Sequence, residues 1–402
     1  MTVLTDYHGQ SDLPRYFGPV FETAKRIRKG RLDIVLDDGR RFRVEGGEPG
    51  PVGEVHVHNP ELFARLLREG DLGFTEAYVE GWWSTPDLQG FMDLLNQDDQ
   101  LQNDYPGMFL VRAYERLRFW FQSNSRRQAP KNISYHYDLG NEFYRLWLDD
   151  TMTYSSALFE TGQESLEAAQ QAKYASMVDQ IGAAPGDHVL EIGCGWGGFA
   201  EYAARERGLR VTGLTISREQ RDYAVERIRN AGLSGQVEIK LQDYRDEKGT
   251  YDGIASIEMF EAVGERYWPV YFDTVRSCLN PGRAATLQVI TIADARWETY
   301  RKGIDFIQKF IFPGGMLPAP RVLRAQVERA GLEVARSIEF AESYSQTLRR
   351  WHEVFNHRWD EIAALGFDER FRRMWNMYLT SCASAFQTRI CDVTQITVRR
   401  PI

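Results

Sequence analysis

Apolar and polar positions change their period along the chain, and the changes divide it. Arg31-Leu32-Asp33-Ile34-Val35-Leu36 alternates, Asp38-Gly39 supplies a turn, and Arg41-Phe42-Arg43-Val44 alternates again, which predicts a hairpin. Glu54-Val55-His56-Val57-His58 predicts a further strand, followed by helical text over Pro60 to Leu67 and Phe74 to Glu80. Val111 to Gln122 reads as a helix, broken by Ser123-Asn124-Ser125-Arg126-Arg127-Gln128-Ala129-Pro130-Lys131. From about residue 165 the text alternates between helix and strand: helix Ser165 to Ile181, strand His188 to Ile192, helix Gly198 to Arg207, strand Arg210 to Thr215, helix Arg218 to Ala231. Strands then follow at Val237 to Leu241, Tyr251 to Ile257 and Ala284 to Ile290, and Tyr344 to Ile390 is largely helical. This pattern predicts an α/β fold, a doubly wound and mostly parallel sheet over residues 132–402. A smaller N-terminal α+β domain is expected over 1–105, with a linker over 106–131.

Composition adds exclusions. A net charge of -8 disfavours a nucleic-acid partner. The four cysteines, Cys194, Cys278, Cys382 and Cys391, form no C-x-x-C pair, so neither a zinc site nor a disulfide framework is expected. His56 and His58 share a strand face, but two ligands without a third make a weak metal site, and no metal is expected. Met1 to Asp6 lacks a basic region before an apolar run, so no signal peptide is expected, and no stretch has the length of a transmembrane helix. The linker carries Arg112, Arg116 and Arg118 beside Phe119, Trp120 and Phe121, which suits either an anionic bilayer surface or a packed helix beside a solvated linker.

Candidate chemistry gathers after the first parallel strand, in Glu191-Ile192-Gly193-Cys194-Gly195-Trp196-Gly197-Gly198. Ligands of such sheets bind at the carboxyl ends of the strands, and glycine lets the backbone approach them. The loop lacks the G-x-G-x-x-G spacing of a pyrophosphate binder, and Glu191 suits the amino and sulfonium charges of S-adenosylmethionine. The second strand ends at Thr215-Ile216-Ser217-Arg218-Glu219-Gln220, where Thr215, Ser217 and Gln220 can supply polar groups to a ribose. Gln242, Asp243, Tyr244 and Arg245 follow the third strand and are placed for adenine. The competing reading is that these residues only cap helices, and Ser217 is a good N-cap.

Further blocks carry a resemblance: Tyr135-His136-Tyr137-Asp138-Leu139, Tyr154-Ser155-Ser156-Ala157, Ala169-Gln170-Gln171-Ala172-Lys173, Met259-Phe260-Glu261, Phe310-Ile311-Phe312-Pro313-Gly314-Gly315, and Tyr378 to Phe386. With the glycine loop, the chain over 132–395 resembles the cyclopropane-fatty-acyl-phospholipid synthases and mycolic acid cyclopropane synthases, including their methyl-branching relatives. The resemblance implies a class I, Rossmann-like methyltransferase that takes a methyl(ene) group from S-adenosylmethionine to the double bond of an unsaturated acyl chain in membrane phospholipid. It implies cofactor contacts at Tyr154 and Ser155 as well as the glycine loop. The product is a cyclopropane or a methyl/methylene branch, the latter open to a partner reductase. It further implies a homodimer at the cytoplasmic face of the inner membrane.

In that family a bound bicarbonate is the base, held by a Cys, a Glu, a His, a backbone group of an Ile and a Tyr. Carried over, the Glu falls on Glu261, the Tyr on Tyr344 and the Ile on Ile290; the Cys falls on Ser156 and the His near Gln288. Gln288 can donate a hydrogen bond but cannot shuttle a proton as His does. The resemblance also offers Cys382 as a nucleophile, although alkene methylation needs no covalent step and a small residue packed in a helix is the simpler reading. Two rival functions remain at this stage: a small-molecule methyltransferase, and a lipid-binding relative impaired in catalysis by the changes at Ser156 and Gln288.

Overall fold

The computed structural model describes residues 3–97, 128 and 139–402. The helix expected over Val111 to Gln122, the motif residues Tyr135 to Asp138 and nearly all of the expected linker lie outside the described residues. Contacts divide the chain into two units that interleave along the sequence: residues 1–119, 302–311 and 359–390 form one, and 120–301, 312–358 and 391–402 the other. The sequence boundaries at 105 and 131 are continuous cuts. The structure differs, because the two later segments group with the N-terminal residues.

The first unit holds a five-stranded sheet in the order β1-β3-β2-β4-β5, formed by β1 (Val3–Leu4), β2 (Lys29–Val35), β3 (Arg41–Glu45), β4 (Glu48–Val57) and β5 (Trp83–Ser84). The hairpin is β2 and β3, antiparallel, with Ile34 opposite Phe42. Phe17 and Phe21 pack on Phe42 to fill its apolar side, and Phe63 meets Phe17 edge-on. Helix Leu62–Val79 runs where two helical segments were expected, and the break between them is Gly70, at φ 63° and ψ -147°. The long helix Glu369–Gln387 belongs to this unit: Arg373 donates to the carbonyls of Tyr78 and Trp83, and Gln89 to that of Thr380. His56 bonds Glu54 and His58 bonds Ser84, so the two histidines do not share a ligand set.

The second unit holds seven strands in the order β11-β12-β10-β9-β6-β7-β8. They are β6 (His188–Ile192), β7 (Arg210–Thr215), β8 (Val237–Leu241), β9 (Tyr251–Ile257), β10 (Leu279–Ile292), β11 (Glu333–Glu339) and β12 (Cys391–Arg399). Strands β8, β7, β6, β9 and β10 are parallel, and β12 runs antiparallel to both β10 and β11. The result is a doubly wound, Rossmann-like sheet. Its strand order reverses at β6, which leaves a crevice beyond the carboxyl ends of β6 and β9.

Helix α1 (Leu166–Ile181) begins at Ser165, whose side chain accepts from the Ala168 N–H, and ends at Gly182 with φ 68°. Its Met177, Val178 and Ile181 pack on Val189, Phe199, Ala203 and Val211. Helix α2 (Ala341–His357) turns Tyr344, Leu348, Trp351 and Phe355 inward at helical spacing. Strand β9 runs so close to α1 that a Cβ on Gly253 would lie 2.3 Å from Ile181 Cγ2.

Candidate active site

The glycine loop takes the backbone that only glycine adopts easily: Gly193, Gly195 and Gly197 have φ of 85°, 52° and 83°. A Cβ on Gly193 would also lie 2.7 Å from Met259 Cγ. Glu191, at the end of β6, is 3% exposed, and its Oε2 has no hydrogen-bond partner. Burial pushes its carboxyl up to about 8, against the pull of the Lys173 ammonium. A buried carboxyl with one unpartnered oxygen beside a glycine cradle fits a cationic ligand, as S-adenosylmethionine requires.

The other expected cofactor residues are less open. Thr215 donates to Gln220 Oε1 at 2.9 Å, and both are buried. Ser217 caps its helix by accepting from the Gln220 N–H. Arg245 grips Asp243 and lies 5.5 Å and 5.6 Å from the rings of Tyr244 and Tyr267. Gln242 donates to Glu247. Cys194 is buried, and burial raises its thiol well above the usual range, so it is an unreactive packing group. Trp196 donates to Asn141 and packs on Tyr144 at 5.0 Å.

Tyr154 sits in an aromatic cluster, 5.5 Å from Trp147 and 5.4 Å from Trp351. Trp351 also meets Tyr344 edge-on at 6.4 Å. The indole N–H of Trp351 is buried and unpartnered. The loop that carries Tyr154 is clamped by α1: Gln170 donates to the Ser155 carbonyl at 3.0 Å, and Lys173 to the Ser155 hydroxyl at 2.6 Å.

Beyond β9 the chain places a carboxylate that the carry-over from the family did not select. Glu258 Oε1 accepts from the Ser156 backbone N–H at 2.8 Å and from Gln288 Nε2 at 2.7 Å. Its Oε2 accepts from the Tyr344 hydroxyl at 2.5 Å. Three of the five carried-over anion holders therefore converge on Glu258. The fourth, the Ile290 N–H, donates to Glu261 Oε1 at 2.5 Å, and Glu261 Oε2 is buried without a partner. The Ser156 hydroxyl turns away, donating to the Ala157 carbonyl. A bicarbonate does not fit this arrangement: the donors that would hold it are committed, and it would meet Glu258 and Glu261, both able to carry its own sign.

Glu258 has φ 50°, an uncommon conformation for a residue with a side chain. It comes directly after β9, and its N–H donates to the Gln288 carbonyl at 2.9 Å. Burial raises its carboxyl, while Tyr344, Lys173, Gln288 and Ser156 pull the other way. Burial, then repulsion from Glu258, pushes Glu261 up to about 8. Burial thus raises both carboxyls, and Glu258 is the one that faces three donors. Lys173 is fully buried, and its ammonium is lowered to about 7 by that burial. Cys382 lies on helix Glu369–Gln387, in the first unit, whereas Glu258 and Glu261 belong to the second.

Sequence reasoning did not single out Glu258 among the candidate site residues. The available signal was local, a second carboxylate three residues before Glu261 at a strand end facing the crevice. Gln395, described below, left no motif signal at all.

Comparison with known proteins shows the family. The sequence model of the family described as "Mycolic acid cyclopropane synthetase" matches residues 124–396. Tuberculostearic acid methyltransferase UfaA1 of Mycobacterium tuberculosis (strain ATCC 25618 / H37Rv) is 37% identical over 380 residues, 92% of this chain and 88% of that protein. Cyclopropane-fatty-acyl-phospholipid synthase of Escherichia coli (strain K12) is 38% identical over 363 residues, 89% of this chain and 90% of that one. Among solved structures, mycolic acid cyclopropane synthase CmaA1, complexed with SAH and CTAB, superposes with a TM-score of 0.64 at 30% identity. The superposition covers 67% of this chain and 98% of that one.

Proposed function

Because this chain belongs to the mycolic acid cyclopropane synthetase family, we propose that it methylates the double bond of an unsaturated acyl chain in membrane phospholipid, with Glu258 as the base that completes the reaction. Transfer of a methyl group from S-adenosylmethionine to lipid acyl chains is the common chemistry of its relatives. The observation that carries the finer reading is the basket of Ser156, Gln288 and Tyr344 donors around the Glu258 carboxylate.

S-adenosylmethionine supplies an electrophilic methyl group. The residues that would hold it are Tyr154, Ser155, Glu191 and the loop Gly193 to Gly197. An alkene is a weak nucleophile, so the site must exclude water and align the reacting carbon. Trp147, Tyr154, Tyr344 and Trp351 form an apolar aromatic wall suited to both tasks. Attack by the alkene pair on that methyl group would form the new C–C bond as the methyl–sulfur bond breaks, its electron pair leaving with the sulfur, and a cation would remain on the acyl chain. Ring faces stabilise that charge. Glu258 then accepts a proton. If the proton leaves the new methyl group, a cyclopropane closes; if a hydride shifts first, a methylene branch forms, which a partner reductase can convert to a methyl branch. Glu258 belongs to the chain, so this reading needs no bicarbonate. Action at the cytoplasmic membrane face, and as a homodimer, belongs to the same proposal. Among the described residues no helix is long and apolar enough to cross a membrane.

The test is expression in a host that makes monounsaturated phospholipids, with mass spectrometry of the fatty acid methyl esters. The expected result is acyl chains heavier by one CH2; mild hydrogenation separates a methylene branch, which takes up hydrogen, from a ring. Glu258→Gln should lower turnover at least about a hundredfold, the scale of a lost general base. Glu258→Gly should do the same, yet regain activity with added formate or bicarbonate, because glycine suits φ 50° and leaves the three donors facing an anion-sized gap. Full activity in Glu258→Gln sinks the assignment of the base; no modified lipid, despite cofactor binding, sinks the function.

A further inference from the structure

Gln288 is one end of a buried chain of amides. It stands directly opposite Gln395 in the antiparallel β10–β12 ladder, and the two side chains are 1% and 0% exposed. Gln395 Nε2 donates to Gln288 Oε1 at 3.1 Å. Gln395 Oε1 accepts from Ser176 Oγ and from Gln180 Nε2, each at 2.6 Å. Gln180 Oε1 in turn accepts from the Thr397 hydroxyl at 3.1 Å. Ser176 and Gln180 lie on α1, so the chain passes from the carboxylate through two strands to a helix.

A side-chain amide has one donating and one accepting end, and its orientation follows from what its neighbours offer. With Gln395 donating to its oxygen, Gln288 presents its NH2 to Glu258 and, at 3.3 Å, to the Ser156 carbonyl. Turned over, Gln288 would set its oxygen against the Glu258 oxygen and the Ser156 carbonyl, and its NH2 against the NH2 of Gln395. Relief at the carboxylate would require a proton on Glu258. The reversed chain therefore requires the protonated acid, whereas the observed one accommodates the anion.

We propose that Gln395 is a positioning residue that locks Gln288 as a donor and so keeps Glu258 in its proton-accepting form. The inference rests on the reading of Glu258 as the base. The ionisable groups near Glu258 are Tyr344 of α2, Lys173 of α1 and Glu261, with Asp149 and Glu191 acting on Lys173. Gln395 bears no charge, so its effect reaches Glu258 through the orientation of Gln288.

The experiment uses the full chain and two variants. Gln395→Met removes the donor. Gln395→Glu, closely isosteric, replaces it with a group that accepts and so favours a turned Gln288. The first readout is infrared difference spectroscopy of the carboxyl C=O band against pH, assigned to Glu258 by its loss in Glu258→Gln, with each Gln395 variant also compared with its Glu258→Gln double. The expected result is a rise in the Glu258 midpoint of about one pH unit in Gln395→Met and more in Gln395→Glu, a size usual for losing a hydrogen bond to the charged form. The second is the pH profile of kcat/KM on lipid: the acidic limb should move up by the same amount, with loss of rate concentrated below the midpoint. In a Gln288→Met background, Gln395→Met should cause no further shift.

An unmoved midpoint in folded variants, or an equal shift with Gln288 already removed, overturns the proposal. If Gln395→Met does not fold, Gln395→Glu carries the test through comparison with its Gln288→Met double, where a direct charge effect on Glu258 persists and a shift through Gln288 does not. A midpoint that moves in a protein with no lipid product upholds the lock and overturns the functional reading. Lipid product with a fixed midpoint does the reverse.

Discussion

At the scale of single residues, the site concentrates ionisable groups in states they do not hold in water. Glu191 and Glu261 are each raised to about 8 by burial, and Lys173 is lowered to about 7 by burial. The signs differ. The folded chain holds protons on the two glutamates that the unfolded chain has released. Their contribution is full below the unfolded value of 4.5 and is lost as pH rises toward 8. Lys173 has the opposite sign, and its contribution lies between 7 and its unfolded value of 10.5. Carboxylates lowered by arginines, such as Asp33 and Glu54, act below that 4.5. Between pH 5 and 7 the buried carboxyls therefore dominate, and the Tm of the ligand-free chain should fall as pH rises. Glu261→Gln keeps an acceptor for the Ile290 N–H and removes one titration, so its melting curves should show a shallower fall over the same range. An identical slope would mean that Glu261 is ionised throughout.

The residue scale also shows what sequence reading can and cannot reach. The glycine loop was legible because its backbone demands leave a spelling. The carry-over from the family found Ser156, Gln288, Ile290 and Tyr344, and all four line the two glutamates. It did not find that Ser156, Gln288 and Tyr344 surround a side chain of the protein itself. That fact depends on a left-handed turn at Glu258, and nothing in Glu258-Met259-Phe260 spells one.

At the scale of elements, the parallel strands and their helices were legible because each is a run of one period bounded by turn residues. Strands β11 and β12 were not predicted. Cys391 to Arg399 mixes apolar and polar residues without strict alternation, although Val393 to Val398 are all buried, and it follows directly on a long helical run that drew the reading past it. The close crossing of α1 and β9 gives a test of packing. In Gly253→Ala the new methyl would lie 2.3 Å from Ile181 Cγ2, on a β-branched side chain with little freedom to turn. A loss of about 1–3 kcal/mol in denaturant unfolding is expected, the usual cost of overpacking a core. Combining it with Ile181→Val should give less than the sum of the two single losses if Cδ1 loss lets the side chain shift.

At the scale of the whole molecule, the units are discontinuous in sequence, and no reading of local pattern reports that. Residues 359–390 fold with the N-terminal sheet, through Arg373 on Tyr78 and Gln89 on Thr380. A fragment cut at the expected boundary, residues 132–402, would keep helix Glu369–Gln387 and lose those partners. It should be cleaved within 359–390 by limited proteolysis under conditions in which the full chain is intact. Equal resistance would show that this helix does not depend on the N-terminal unit.

Strand β12 has a consequence for synthesis. It lies between β10 and β11, so the larger sheet stays open until residues 391–399 have left the ribosome, and the smaller unit likewise waits for residues 359–390. A nascent chain of some 350 residues would therefore have translated the glycine loop and both glutamates while the place between β10 and β11 is still bare. Gln395 lies on that strand, so on the proposal above the proton-accepting form of the site waits for a segment made after the carboxylate it acts on.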